Sequence, residues 1–220
     1  MGAFPLYIRI PHWATKATLD GQRVAAGVFA KRSCAPALST AETAERDGAG
    51  GDHFVLELSP EIMIEQWAMD QHGGVATHPG YSVVRGPLLY SLPIAHNFTI
   101  YGRHFGSGDE ASNDYFLRPT VSWNYALDIP DLAHTANALK FMHGGVYRVG
   151  AAPFNRTGPF MIEAKARLLP SWTLENNSAA PPPQSPACKD TGESRCGPPT
   201  TLTLVPHGYT ELRIGEFPLA

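Results

Sequence analysis

The chain has 220 residues, enough for one large β domain or two sandwiches of about 100 residues each. Its 43% hydrophobic content supports a core, while 21 Gly and 20 Pro fit many turns and few long helices. The formal net charge of −3 gives no electrostatic reason to expect nucleic acid or an anionic membrane as a partner, and no apolar run of about 18 residues is present to span a bilayer.

Leu6, Ile8 and Ile10 alternate with Tyr7 and Arg9, predicting a strand that Pro11 ends, with Trp13 directly after it. Met1-Gly2-Ala3 leads almost directly into this strand without the charged and apolar regions of a signal peptide, so secreted and cytoplasmic locations both stay open. Asp20-Gly21 sits between Ala17-Thr18-Leu19 and Gln22-Arg23-Val24, a two-residue hairpin signal, and Val28-Phe29-Ala30 is expected to continue the meander. Residues 31 to 51 read as an inserted surface loop, in which Ser39 and Glu42 have capping-box spacing. Phe54, Leu56 and Leu58, then Ile62-Met63-Ile64, predict two tightly joined strands.

Tyr81 to Pro93 is the most continuous apolar stretch, read as one broken strand in which Gly86 and Pro87 produce a bulge or edge kink. We take it as the seam between two modules, with Arg85, its one charge, as a candidate inter-module anchor. Thr120 to Asp128 predicts another strand. Asp131 to Phe141 fits either a helix through Leu132, Ala136 and Leu139 or a strand beginning at Leu139. Phe160, Ile162, Ala164, Ala166 and Leu168 alternate cleanly with polar residues, so that strand has one core face and one wet face. Residues 176 to 199 form an extended Pro-rich loop, after which Leu202 and Leu204 make a strand whose expected partner holds Leu212 and Ile214. The predicted class is therefore all-β, with two consecutive antiparallel, jelly-roll-like sandwiches, 1–93 and 94–220, carrying long loops.

Five collinear segments carry a resemblance. Phe4-Pro-Leu-Tyr-Ile-Arg-Ile-Pro-His-Trp-Ala14, Arg85-Gly-Pro-Leu-Leu-Tyr90, Trp123-Asn-Tyr-Ala-Leu127, Ala164 to Trp172 and Leu204 to Pro218 resemble the C-terminal β-sandwich part of glycoside hydrolase family 127, the family of non-reducing-end β-L-arabinofuranosidases. The resemblance implies an upstream (α/α) barrel as partner in cis, and it is that barrel which holds the catalytic cysteine, the glutamate acid/base and the zinc. No catalytic residue, metal ligand or cofactor carries over to this chain, which is expected to be inactive alone. Residues 31 to 50 depart from the family pattern, where a shorter connection is usual.

A search for chemistry among the residues agrees. Glycoside hydrolysis needs two carboxyl groups about 5 to 9 Å apart across the sugar. Glu57, Glu163 and Glu216 instead sit on strands, where a solvated outer face is the plain reading, and Asp109 and Glu110 lie in a Gly-rich loop. His72 and His78 share a loop but lack zinc-motif spacing. Cys188 and Cys196 have a spacing that permits a disulfide, and Cys34 has no evident partner. Trp13, Trp123 and Trp172 adjoin strands and read as packing residues, as Gly86 and Pro87 read as structural, whereas Trp67, beside a loop, is the candidate for stacking on carbohydrate.

Three functions are consistent with these residues. An accessory region bracing a barrel predicts an exposed apolar patch. A free-standing carbohydrate-binding module predicts an exposed aromatic platform. A complete small hydrolase predicts a pocket with converging carboxylates or an activated nucleophile.

Overall fold

A computed structural model describes residues 4–34, 53–69, 75–102, 114–144, 160–189, 192 and 195–220. The chain is all-β with antiparallel sheets, and it contains no α-helix among the described residues. It divides into two compact units, Met1–Glu61 and Ile62–Ala220.

In the first unit, β1 (Phe4–Arg9) pairs with β4 (Phe29–Cys34), and β2 (Lys16–Leu19) lies between β3 (Gln22–Val24) and β5 (Leu56–Ser59). Asp20 and Gly21 turn β2 into β3 at φ 50° and 76°, the positive values that a two-residue hairpin demands. Residues 29–34 do not continue that meander but return to β1, and β5 pairs with β2 rather than with the strand that follows it. The two sheets share one core, built on Ile10, Ala14 and Ala17, with Ile8, Trp13, Val24, Ala30, Leu56 and Leu58 packed against it.

The second unit is organised by one eight-stranded sheet. Its path runs β11 (Tyr125–Leu127), β13 (Phe160–Leu168), β16 (Pro199–Pro206), β8 (Leu88–Pro93), β7 (Val75–Arg85), β6 (Ile62–Met69). Off this path, β12 (Leu139–His143) pairs with β13 and β17 (Arg213–Ile214) pairs with β8. The C-terminal residues strap the sheet across: Phe217 exchanges two backbone hydrogen bonds with Tyr81 of β7, while Leu127 of β11 donates to Pro218 and accepts from Ala220. The alternation of β13 places Ile162, Ala164 and Ala166 in the core with Val83, Tyr90, Leu127, Leu204 and Phe217. Two small ribbons complete the unit, β9 (His96–Gly102) with β10 (Asp114–Pro119), and β14 (Leu174–Glu175) with β15 (Ser178–Ala179).

Several expectations change at the level of pairing. Tyr81 to Pro93 is two strands folded back on one another, with Arg85 opposite Leu88 and Gly86 at φ 58° in the turn, so the Gly-Pro pair makes a hairpin and not a bulge. The division falls after Glu61 rather than after Pro93, because β8 is pinned into the later sheet by Tyr90 opposite Pro206 and Ser91 opposite Val205. β17 pairs with β8 and not with β16, since a 3₁₀ turn, His207–Tyr209, redirects the chain. Between Asp131 and Phe141 a 3₁₀ turn at Thr135–Asn137 precedes β12, and Leu132 is exposed. The stretch assigned to an extended Pro-rich loop opens with a hairpin turn, at Asn176 and Asn177 with φ 51° and 62°. The proposed helical turn at Ser39 and Glu42 lies outside the described residues.

Candidate functional site

Trp67 lies on β6 directly opposite Gly80 of β7. The period of two sends Ile62 and Ile64 to the core and leaves Met63, Glu65 and Trp67 on the outer face. The indole Nε1 donates to Ser82 Oγ at 2.9 Å, and Ser82, itself buried, donates to the carbonyl of Gly215 at 2.8 Å. The ring is therefore held by its polar edge while the residue remains 47% exposed. Gly80 matters because a Cβ there would sit 2.8 Å from Glu216 Oε2 and 3.2 Å from Pro182 Cγ. A carboxylate thus rests over the glycine that faces the tryptophan. An anchored aromatic ring beside a carboxylate can take the C–H face of a sugar and accept from its hydroxyls.

Ser91 and His207 have the look of a nucleophile and its base, with Ser91 Oγ 2.7 Å from His207 Nδ1. The polarity is the reverse of what catalysis needs. Arg213 Nε donates to His207 Nε2 at 2.8 Å, and a guanidinium has no acceptor and keeps its proton. His207 is then neutral with its hydrogen on Nδ1, donating to Ser91 rather than taking its proton. Burial is the larger cause that holds the His207 pKa below its usual value, and the Arg213 charge adds to it. Ser91 is also fully buried, so the trio joins β8 to the 3₁₀ turn and β17. Sequence reading did not find this trio, because its members are separated by up to 122 positions, from Ser91 to Arg213.

Arg85 places its guanidinium 3.6 Å from the ring centroid of Phe141 on β12, a cation–π contact within the second unit. Phe141 in turn stacks with Phe160 at 6.0 Å and meets His143 edge-on at 5.0 Å. Tyr90 is wholly buried close by in the core; its hydroxyl has no well-formed hydrogen bond among the described residues, and the Arg85 guanidinium is the polar group that acts on it. Burial pushes the phenol's pKa up, and the Arg85 charge opposes that rise. Pro87, exposed, completes the turn beside Arg85.

The remaining candidates are dispersed. Trp123 and Trp172 meet edge to face at 5.2 Å around a second core with Ala126, Leu169 and Ala187, while Trp13 packs in the first unit. Asn124 fixes the tryptophan pair by donating to the carbonyls of Leu169 and Trp172. Cys188 and Cys196 form a disulfide with Cα atoms 5.3 Å apart, and Cys34 is a buried free thiol. A shallow recess of about 650 Å³ beside the disulfide includes Asp128, Arg167, Lys189 and Arg195, but Arg167 is already paired with Asp128 at 2.9 Å. Glu57 accepts from Thr18 on the first unit's surface, and Glu163 lies on the wet face of β13. His78 is exposed; His72, Asp109 and Glu110 lie outside the described residues. No cluster of three metal-ligating side chains occurs among the described residues. Comparison with known proteins found no matching family model, no matching curated protein and no matching solved structure.

Proposed function

We propose that this chain is a non-catalytic β-sandwich region of a family 127-like glycoside hydrolase that acts on L-arabinofuranoside-type or related plant or glycoprotein sugars, and that its work is to brace a helical catalytic barrel. The observation carrying this reading is that four segments of the resemblance, far apart in sequence, are one another's partners in the second unit. Trp123 packs on Trp172, Asn124 holds Leu169, Leu127 bonds to Pro218, and Tyr90 lies opposite Pro206. The motif residues thus specify a scaffold.

A second observation supports bracing. The β9–β10 ribbon exposes Phe98, Ile100, Tyr101, Tyr115 and Phe116, and edge-to-face contacts link Phe98 to Tyr115 at 5.6 Å and Tyr101 to Phe116 at 4.6 Å. A lone two-stranded ribbon is marginal in water, so such a surface is most stable when covered. Co-expression with the helical region that this reading places upstream in the same reading frame is the test. A stable complex weakened by Phe98→Ser and Tyr101→Ser supports the reading. A stop codon and promoter immediately upstream would remove its premise.

The alternative, a free-standing carbohydrate-binding module, is favoured by one feature, the anchored and half-exposed Trp67 with Glu216 over Gly80. It predicts saturable binding of arabinofuranosyl oligosaccharides in the absence of any helical partner, lost in Trp67→Ala.

A further inference from the structure

The outer face of the β1–β4 ribbon points to a second ligand site, and we infer that it binds a short acidic saccharide, a chain carrying uronate carboxylates. Register decides which side chains share that face. Tyr7 is opposite Lys31 and Arg9 is opposite Phe29, so aromatic and cationic residues alternate in a checkerboard, flanked by Pro5 and Ser33. Leu6, Ile8, Ala30, Arg32 and Cys34 take the other face, where Ile8 and Ala30 meet the core and Arg32 pairs with Asp20.

Tyr7 is 57% and Phe29 65% exposed. Lys31 Nζ sits 6.0 Å from the Tyr7 ring centroid, which holds the cation beside the ring and leaves it accessible. None of the six residues on this face is acidic, and neither Arg9 nor Lys31 forms an ion pair among the described residues. Two rings and two unmatched cations within one small patch suit a ligand with apolar faces and fixed negative charge. A sugar ring presents its C–H face to Tyr7 or Phe29, while its carboxylate meets the fork of Arg9 or the ammonium of Lys31. The net charge of −3 works against a long polyanion, which favours a short acidic saccharide over nucleic acid. The choice of a saccharide rests on the sugar-handling role proposed above; the demand for negative charge rests on the ribbon alone.

The test is titration of the full chain, labelled for amide NMR, with α-1,4-digalacturonate and with its uncharged counterpart α-1,4-galactobiose. The acidic disaccharide is expected to shift the amides of Tyr7, Arg9, Phe29 and Lys31 saturably, at least tenfold more tightly than the neutral one, and more weakly at high salt. Arg9→Glu and Lys31→Glu abolish the shifts, and Tyr7→Ala or Phe29→Ala weakens them tenfold, with the core signals of Ile10 and Ala17 reporting that each variant stays folded. Equal response to the two sugars, no saturable response, tighter binding of a short single-stranded oligonucleotide, or dilution-dependent shifts without sugar that mark a second copy on this face would each overturn the inference. None of these outcomes bears on bracing, which is read by docking of the helical partner.

Discussion

Arg213 Nε donates to His207 Nε2 at 2.8 Å, and this one contact sets the character of the buried Ser91–His207 pair. A serine nucleophile needs a base with a free lone pair directed at it; here the lone pair of Nε2 is taken by a permanent cation, and Nδ1 must carry the hydrogen. Ser91 is therefore expected to resist a fluorophosphonate probe at every pH where the chain is folded. Ser91→Ala should cost about 1–2 kcal/mol in a denaturant titration, the worth of a buried hydrogen bond whose partner is left behind.

The same trio makes stability depend on pH. The His207 pKa is lowered on folding, so between the ordinary histidine value and the folded one the unfolded chain binds more protons. Stability is then fully present above about pH 6.5 and is lost progressively as pH falls toward the folded pKa. The urea midpoint should drop between pH 7.5 and 5.5, and His207→Gln should flatten that part of the profile. An unchanged slope in the variant would show that other groups carry it.

Tyr90 gives a different expectation from the usual tyrosine deletion. Its buried hydroxyl has no well-formed hydrogen bond among the described residues and is acted on by the Arg85 guanidinium, so Tyr90→Phe should change stability by less than about 1 kcal/mol in either direction. Because burial raises the phenol's pKa, the wild-type chain loses stability as pH rises above 10, where the unfolded chain ionises first. The variant should lack that contribution.

Trp172 is 2% exposed, meets Trp123 edge-on and donates through Nε1 to the carbonyl of Ala180 at 2.8 Å. Trp172→Ala should cost about 3–5 kcal/mol, as other large-to-small core changes do. Trp172→Phe should cost less, keeping ring packing while losing the hydrogen bond. Near-ultraviolet circular dichroism of each variant reads the coupling of the two indoles directly.

The Cys188–Cys196 disulfide closes a sequence separation of eight residues. Loop-closure entropy puts its contribution at about 2.5 kcal/mol. Dithiothreitol, or paired replacement by serine, should lower the unfolding free energy by about that amount, read as a lower denaturant midpoint at unchanged slope.

Local chemistry was the part legible in the sequence. The alternation from Phe160 to Leu168 placed Ile162, Ala164 and Ala166 in the core, and Asp20-Gly21 marked its own turn. Pairing was not legible where partners lie far apart. Phe29 returns to Arg9 and Ile214 to Leu92, neither of them a choice that neighbouring residues dictate. Gly86-Pro87 carried a turn signal that the surrounding apolar run masked. For the candidate site, exposure of Trp67 was read from its place beside a loop, but the glycine opposite it and the carboxylate of Glu216 depend on register and on the C-terminal strap. The Ser91–His207–Arg213 trio was hidden for the same reason.

The most direct test of the central claim is turnover. A homogeneous preparation of this chain should release no aryl alcohol from an aryl β-L-arabinofuranoside, and activity should appear only when a helical catalytic barrel of the kind proposed above is bound to it. Hydrolysis by the isolated chain, persisting through further purification, would contradict the account.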